Sequence, residues 1–574
     1  NGSNTIQAGD GGNHIEVGDG DNTIDTGDGD DVIVTGLGDN DMGVTRHPRE
    51  KCVGVYGVTA SASGIVKSWA SGSRTKEAIN PSLHFREAQS MMMTQEQAWL
   101  KSQKQLQALH AYVEQASSQG ERIDKVEREL FSQLLLVGRT MLEGFIAAQG
   151  EGDAGPTCQH ELRTLQRSTE LHERRYLSIF GELTISRWVY AEREGQKTVA
   201  PLDARLSLPA DEFSYVLEDW QQRLCVKESF HEGVTSLREL LGVAPSERAA
   251  EQMNRRIAQF AEHFHLSHGT PPAQEEGELL VATADGKGVP MRRPIAERVR
   301  SSPRRGKGEK ANKKQMAYVG AVYSIDRFRR TADDVLDEIL RQERRKDRPA
   351  PQHKRVWAEM TRVQEGEPCT GRERLFIEMA IACHQRDPHR HKTLVCLLDG
   401  EAGLWSMRGE WLQRSVGILD IFHVLERLWL VAHCLHPEKS REAEASVSHH
   451  LRMLLEGKVG YVIGNFKRLI NEQQLRGSPR QTVQAVITYY ENNRQHMRYD
   501  QYLAAGYPIG SGVAEGACRH LVKDRLEQTG MRWTVDGAQA MLHTRATYLN
   551  GKWDDFLEYR IQTEQAALYG HTAA

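Results

Sequence analysis

At 574 residues the chain is long enough for several domains, and its eight widely spaced cysteines, with no CxxC pair, argue against a disulfide frame or a zinc ribbon. The formal net charge of −4 hides an asymmetry: residues 1–44 hold ten acids and no Lys or Arg, so residues 45–574 net +6, with 74 basic against 68 acidic side chains. An acidic head on a basic body suggests a composite chain whose body has nucleic acid as a partner. No run of about eighteen apolar residues and no signal peptide appear, so neither a membrane partner nor export is expected.

The head is periodic. Gly9, Gly18, Gly27 and Gly36 recur every nine residues, as do Ile6, Ile15, Ile24 and Ile33. So short a period predicts a solenoid in which each repeat stacks on the last, with isoleucines inward and glycines in tight turns of positive φ. Turn carbonyls and the carboxylates of Asp10, Asp19, Asp28 and Asp31 are candidate Ca²⁺ ligands. The stretch 1–43 resembles the RTX nonapeptide β-roll of secreted calcium-binding proteins, with Asn at most of the usual repeat aspartates; a flexible acidic tail is the alternative. Residues 44–90 lose all periodicity and read as a linker or disorder.

Residues 91–270 read as a mostly helical, DNA-binding region. Thr94 and Gln97 fit a capping box, and Leu100, Leu106, Leu109 and Val113 supply an apolar stripe. "RRYLSIFGELTISRWVY" predicts a hairpin turning near Gly181. Ser229 with Glu232, Gly242, Pro245 and Ser246 punctuate two helices joined by a turn. Arg248, Gln252 and Arg255 share a face of the second, which reads either as a major-groove recognition helix or as a solvated surface.

Two apolar runs then end in aspartate. "GELLVATADGKGVP" delivers Asp285 and "KTLVCLLDGEAGLW" delivers Asp399, as expected of two adjacent parallel strands presenting carboxylates a few ångströms apart. A third acid, Glu515, sits in a helix beginning near Val513, with Arg519, Lys523 and Arg525 on neighbouring turns and Glu527 as its competitor. Taken alone, Glu515 reads as an ordinary first-turn glutamate serving the helix dipole. Residues 291–314 hold ten Lys or Arg, among them Arg304, Arg305, Lys307, Lys313 and Lys314, a candidate phosphate-tracking arm or a solvated loop.

"ATADGKGVPM", "GEKANKKQMAYVGAVYSID", "LLDGEAGLW", "ILDIFHVLERLW" and "YPIGSGVAEGACRHLVKDRLEQTGMRW" occur in this order and resemble the ISKra family of bacterial insertion-sequence transposases, relatives of the Mutator type, over roughly residues 180–556. The resemblance implies a multidomain chain with an α/β RNase H-like catalytic core, residues 271–438 and 501–560, interrupted by a helical insertion at 439–500, with a tail at 561–574. It implies Asp285, Asp399 and Glu515 as a DDE triad holding two Mg²⁺ or Mn²⁺ ions. Asp420 and His423 match the Asp/Cys-x-x-His element of Mutator-like enzymes, which makes His423 a catalytic candidate with a packing role as its alternative. The partners implied are double-stranded DNA, both element ends and target, and a second copy of the chain, in the bacterial cytoplasm near the nucleoid. A nuclease without strand transfer and a secreted calcium-binding protein are the competing readings. The repeats read as foreign to the transposase, whose own start is expected at one of the methionines Met91 to Met93.

Overall fold

The structure is a computed structural model that describes six short strands within residues 1–57 and, beyond them, residues 93–160, 163–192, 198–267, 269–292, 314–340, 347–364 and 367–570. The chain divides into two compact units, residues 1–89 and 90–574. In the first, strands Thr5–Ala8, Thr23–Thr26 and Asp41–Val44 form one parallel sheet, and His14–Val17, Val32–Thr35 and Gly54–Gly57 form another. The registers Ile6↔Ile24 and Ile15↔Ile33 put paired strands two repeats apart. Each repeat therefore stacks on the next but one, not on its immediate neighbour, and Gly54–Gly57 extends the array into the predicted linker. Asp10, Asp19, Asp28 and Asp31 lie outside the described residues, as do most of 44–90.

The second unit opens with an antiparallel helix pair, α1 (Gln95–Ser118) and α2 (Ile123–Ala148). The Thr94–Gln97 capping box is present, but the expected stripe on α1 is largely exposed. Leu100, Leu106 and Val113 face solvent, while Ala98, Ser102, Leu109 and Ala116 are the residues buried. Among the described residues α2 is the one helix long and apolar enough to cross a membrane, though little of it is buried. The hairpin β1 (His172–Ser178) and β2 (Gly181–Arg187) follows, turning as expected at Gly181, whose φ of 119° suits glycine.

Helices α3 (Tyr215–Cys225), α4 (Phe230–Leu241) and α5 (Glu247–Ala258) come next. The Ser229–Glu232 box, the left-handed Gly242 and the Ser246 cap all stand where the sequence puts them. The turn between α4 and α5 thus follows from local chemistry alone.

Five strands form the central sheet: β3 (Leu279–Pro290), β4 (Lys314–Ile325), β5 (Gln352–Met360), β6 (Thr393–Leu398) and β7 (Val416–Leu419). Their order is β5-β4-β3-β6-β7, with β3, β4 and β5 antiparallel and β6 and β7 parallel to β3. Strand β3 reads apolar on consecutive residues because both of its faces are covered. Leu280, Ala282 and Ala284 pack with α6 (Gly371–Arg386) and α7 (Ala402–Trp411). Leu279 and Val281 pack on the other face with α8 (Ile421–Leu435), α9 (Arg441–Leu455), α10 (Val459–Glu472) and α11 (Gly477–Asn493). The last three are the predicted helical segment, and α12 (Gly512–Ala517), α13 (Val535–Leu549) and α14 (Trp553–Tyr569) complete the unit.

Val281 of the sheet and Leu451 of α9 belong to one apolar cluster, both with no exposed surface. Leu451→Ala should cost about 2–5 kcal/mol. Because the core is shared, hydrogen exchange should show protection falling together in α9–α11 and at Leu279–Val281; loss confined to the helices would mean that they fold separately.

Candidate active site

Strand register brings the acids together. Pairing of β3 with β6 runs from Leu279↔Thr393 to Ala284↔Leu398, and that of β6 with β7 ends at Leu398↔Leu419. The next residue on each of the three strands is an aspartate: Asp285, Asp399, Asp420. Adjacent strands lie about 4.8 Å apart, so the three form a row along one edge of the sheet. One expectation needs correcting. Asp285 does not end its strand, since β3 continues to Pro290 against β4, with Asp285 opposite Val319. It stands where its parallel neighbour stops, which is what uncovers its carboxylate.

Short loops hold each acid in place. The Gly286 N–H donates to Asp285 Oδ1 at 2.6 Å, and the Cys518 thiol donates to Oδ2 at 3.4 Å. Asp399 Oδ1 accepts from the Glu401 N–H at 2.8 Å, while its backbone carbonyl accepts from Trp405 Nε1 at 2.7 Å. Asp420 is fully buried and caps α8, accepting from the Phe422 N–H at 2.8 Å and from the Ser511 hydroxyl. His423, one turn into α8, places Nδ1 3.4 Å from Asp420 Oδ2, an ion pair rather than a well-aligned hydrogen bond.

Glu515 reaches the row from α12, which starts at Gly512, one residue before the expected Val513. After Ala517 the chain widens into a π-turn, Cys518–Lys523, a form found often at functional sites. It directs Cys518 to Asp285, while Arg519 and Lys523 stay exposed. Arg525 is buried, its Nε donating to the Cys225 carbonyl at 2.7 Å, so it is structural and not a surface cation beside the triad. The competitor Glu527 lies beyond the π-turn in an ion pair with Lys314.

The electrostatics are those of crowded acids. Burial, then the charges of Asp285 and Asp420, push Asp399 above the usual carboxylate range against the Glu401 N–H. Burial, then the charge of Asp420, does the same to Glu515. Glu401, which ion-pairs with Arg372 at 3.0 Å, is raised by burial and by Asp399. His423 is the answering cation: its contact with Asp420, aided by the charges of Asp399 and Asp285, lifts it to about 9. A site that strains to stay negative is a site suited to a cation.

A divalent ion fits. The ligand atoms of Asp420, His423 and Glu515 lie within 4.8 Å of one another, a spacing at which one ion could touch all three once His423 is deprotonated; of the expected set Asp285, Asp399 and Glu515, only Glu515 belongs to this group. Two carboxylates with one neutral imidazole are a ligand set for a divalent metal ion.

The DNA-facing candidates fare unevenly. Arg248 and Gln252 are exposed on α5, whereas Arg255 is half-buried, bonded to Glu251 at 2.6 Å and to Thr534 at 3.3 Å. Arg255 is thus tethered on the face that Arg248 and Gln252 leave open. Lys314 is held by Glu527, and Arg304, Arg305, Lys307 and Lys313 lie outside the described residues. Sequence reasoning did not single out Glu401, Cys518, Ser511 or Tyr489. The Tyr489 hydroxyl is buried with no hydrogen-bond partner, and its ring, which carries Arg427 at 5.0 Å, leaves no room for a side chain at Gly400 beside Asp399. Asp420 had a readable signal, because "VGILD" repeats the apolar-run-then-aspartate pattern of the other two strands.

No family model and no curated protein matches the chain. Among solved structures, the Drosophila P element transposase strand transfer complex is similar at 9% identity and a TM-score of 0.20, over 61% of this chain and 81% of that one. A TM-score that low does not define a common fold.

Proposed function

We propose that the chain is a DNA transposase of the DDE type, which cleaves element ends and joins their 3′-OH to target DNA, with Asp285, Asp399 and Glu515 as its metal-holding acids. The observation that carries the reading is the row of aspartates on neighbouring parallel strands faced by Glu515 and His423, in a mixed sheet that suits the RNase H-like core implied by the sequence resemblance. Divalent ions bound by such acids would supply the activation of a water for in-line attack and the stabilisation of the leaving 3′ oxygen. The chain's own residues prepare the site for this. Asp285, in the centre of the sheet, would be one of the residues holding the metal, and the Gly286 N–H and Cys518 thiol fix its rotamer. Asp420, anchored by Ser511 and the first turn of α8, orients His423 toward the acids. The basic segment 291–314 follows β3, which ends at Pro290 a few residues beyond Asp285, and would be the source of phosphate contacts.

Asp285→Asn, Asp399→Asn and Glu515→Gln should each abolish Mg²⁺-dependent cleavage of element-end DNA while binding of the ends persists. Cleavage that survives one substitution would remove that acid from the assignment. Cutting by the parent chain without joining of the freed 3′-OH would favour a nuclease.

His423 gives the site a pH signature. Its folded-state pKa is raised from 6.5 to about 9, so the stabilisation it supplies is complete below about 6.5 and is lost as pH rises through 9. In the ion-free protein this should appear as on the order of 2 kcal/mol of stability lost across that window. His423→Gln should flatten the loss, and saturating Mg²⁺ should shrink it by supplying the positive charge instead. Chemical melts at several pH values would decide; an unchanged slope in His423→Gln would place the titration elsewhere.

The repeats form a unit of their own, residues 1–89, which accords with their being foreign to the catalytic chain. Deleting residues 1–90 should leave cleavage and joining at the parental rate, indifferent to micromolar Ca²⁺. Loss of joining on deletion would show that the fusion is functional.

A further inference from the structure

Among the described residues, the helix pair at the start of the second unit carries an apolar face that is covered at Gly138 by the Phe180 ring and otherwise left open. On α1, Trp99, Leu106 and Val113 are seven residues apart and are 39%, 36% and 38% exposed. They alternate with the buried Ser102, Leu109 and Ala116, so the two rows together repeat at intervals of three and four residues, the spacing of a coiled-coil seam. On α2 the same spacing places Phe131, Leu134, Gly138, Met141 and Phe145 in line, and its four large side chains are 44–51% exposed. In an antiparallel pair, residues displaced the same way from the mutual contact line fall on one face, so both stripes lie on one side of the hairpin. Gly138 lies against the ring of Phe180 at the tip of the β1–β2 hairpin, which borders the patch.

We propose that this face is the self-association surface of the protein, packing against the α1–α2 pair of a second copy to form a four-helix bundle. Three observations choose this occupant. The three-and-four spacing is complementary to another helix with the same repeat, and each copy brings one, as an isologous two-fold interface requires. Seven large side chains, each offering on the order of 70–100 Å² of apolar surface, expose roughly 500–700 Å², close to the area per partner of a standard interface once rim residues join. Unlike most surface apolar residues, they are also contiguous. A bilayer suits the face poorly. Arg139 and Glu143 pair on α2 at 3.2 Å, Lys101 of α1 stands 3.8 Å from Glu143, and the glutamine-rich α1 runs the length of α2. The inference does not depend on the catalytic assignment.

Sedimentation equilibrium of the full chain tests it. The parent should be dimeric at micromolar concentration. Leu134→Lys combined with Met141→Lys should weaken association on the order of 100-fold or more, since two central apolar contacts are lost. Both side chains are exposed in the single chain, so the variant should keep the parental circular dichroism and melt cooperatively, at a lower temperature that no longer depends on protein concentration. In an equal mixture of unlabelled and ¹⁵N-labelled parent, lysine cross-linking through Lys101, Lys104 and Lys125 should give mixed-isotope peptides. A monomeric parent, whether its face is free or covered by residues 1–92, would overturn the proposal. So would association that survives the double substitution, or flotation of the parent with anionic phospholipid vesicles that the substitution abolishes.

Discussion

Everything at the candidate site depends on where two strands stop. Strands β6 and β7 both end one residue before an aspartate, and β3 reaches its own aspartate at the same level. Parallel pairing has a fixed register, and a slip of one residue would turn every side chain of a strand to the opposite face. The alternation that buries Leu279 and Val281 under α8–α11, and Leu280 and Ala282 under α6, is therefore the same constraint that sets Asp285 beside Asp399. Apolar burial fixes the polar site, not the reverse.

That arrangement is costly before any cation arrives. Asp399, Glu401 and Glu515 are all held above their ordinary range, burial being the first cause in each case. The fold offsets the cost with backbone N–H groups from Gly286, Glu401 and Phe422 and with one imidazolium. Asp420 gains further from sitting at the N-terminus of α8, where the helix dipole favours a negative charge. It is the most buried and most fully bonded of the row, which suits a positioning acid.

What could be read from the sequence follows the range of the forces involved. Local chemistry was legible: the Thr94 and Ser229 capping boxes, the left-handed Gly242 and the turn at Gly181 each depend on a few adjacent residues. Apolar runs ending in aspartate were legible too, because both faces of the sheet are covered and the strands read without alternation. Long-range consequences were not. Nothing in the spacing of Arg255 announces Thr534, and nothing near Arg525 announces that Phe230 and Trp533 will enclose it at 5.2 and 5.1 Å. The α1 stripe shows a third limit. Periodicity marks Leu100, Leu106, Leu109 and Val113 for burial, but the single chain buries only Leu109 of the four.

The buried arginines determine how the N-terminal helices can serve the site. Arg525, just past the π-turn, donates to the Cys225 carbonyl at the end of α3, and Arg545 of α13 donates to the Val226 carbonyl next to it. Asn254 of α5 bonds Gln222 at 3.0 Å and Thr544 at 2.9 Å with almost no exposed surface. An unpaired group at any of these positions would carry the desolvation cost of a buried polar atom, so the contacts break together or not at all. Helices α3 to α5 are thus joined rigidly to the segment that carries Glu515 and Cys518, and Arg248 on α5 keeps a fixed distance from the acids. The same buried polar contacts that fix α5 thus also fix the segment that holds Glu515 and Cys518.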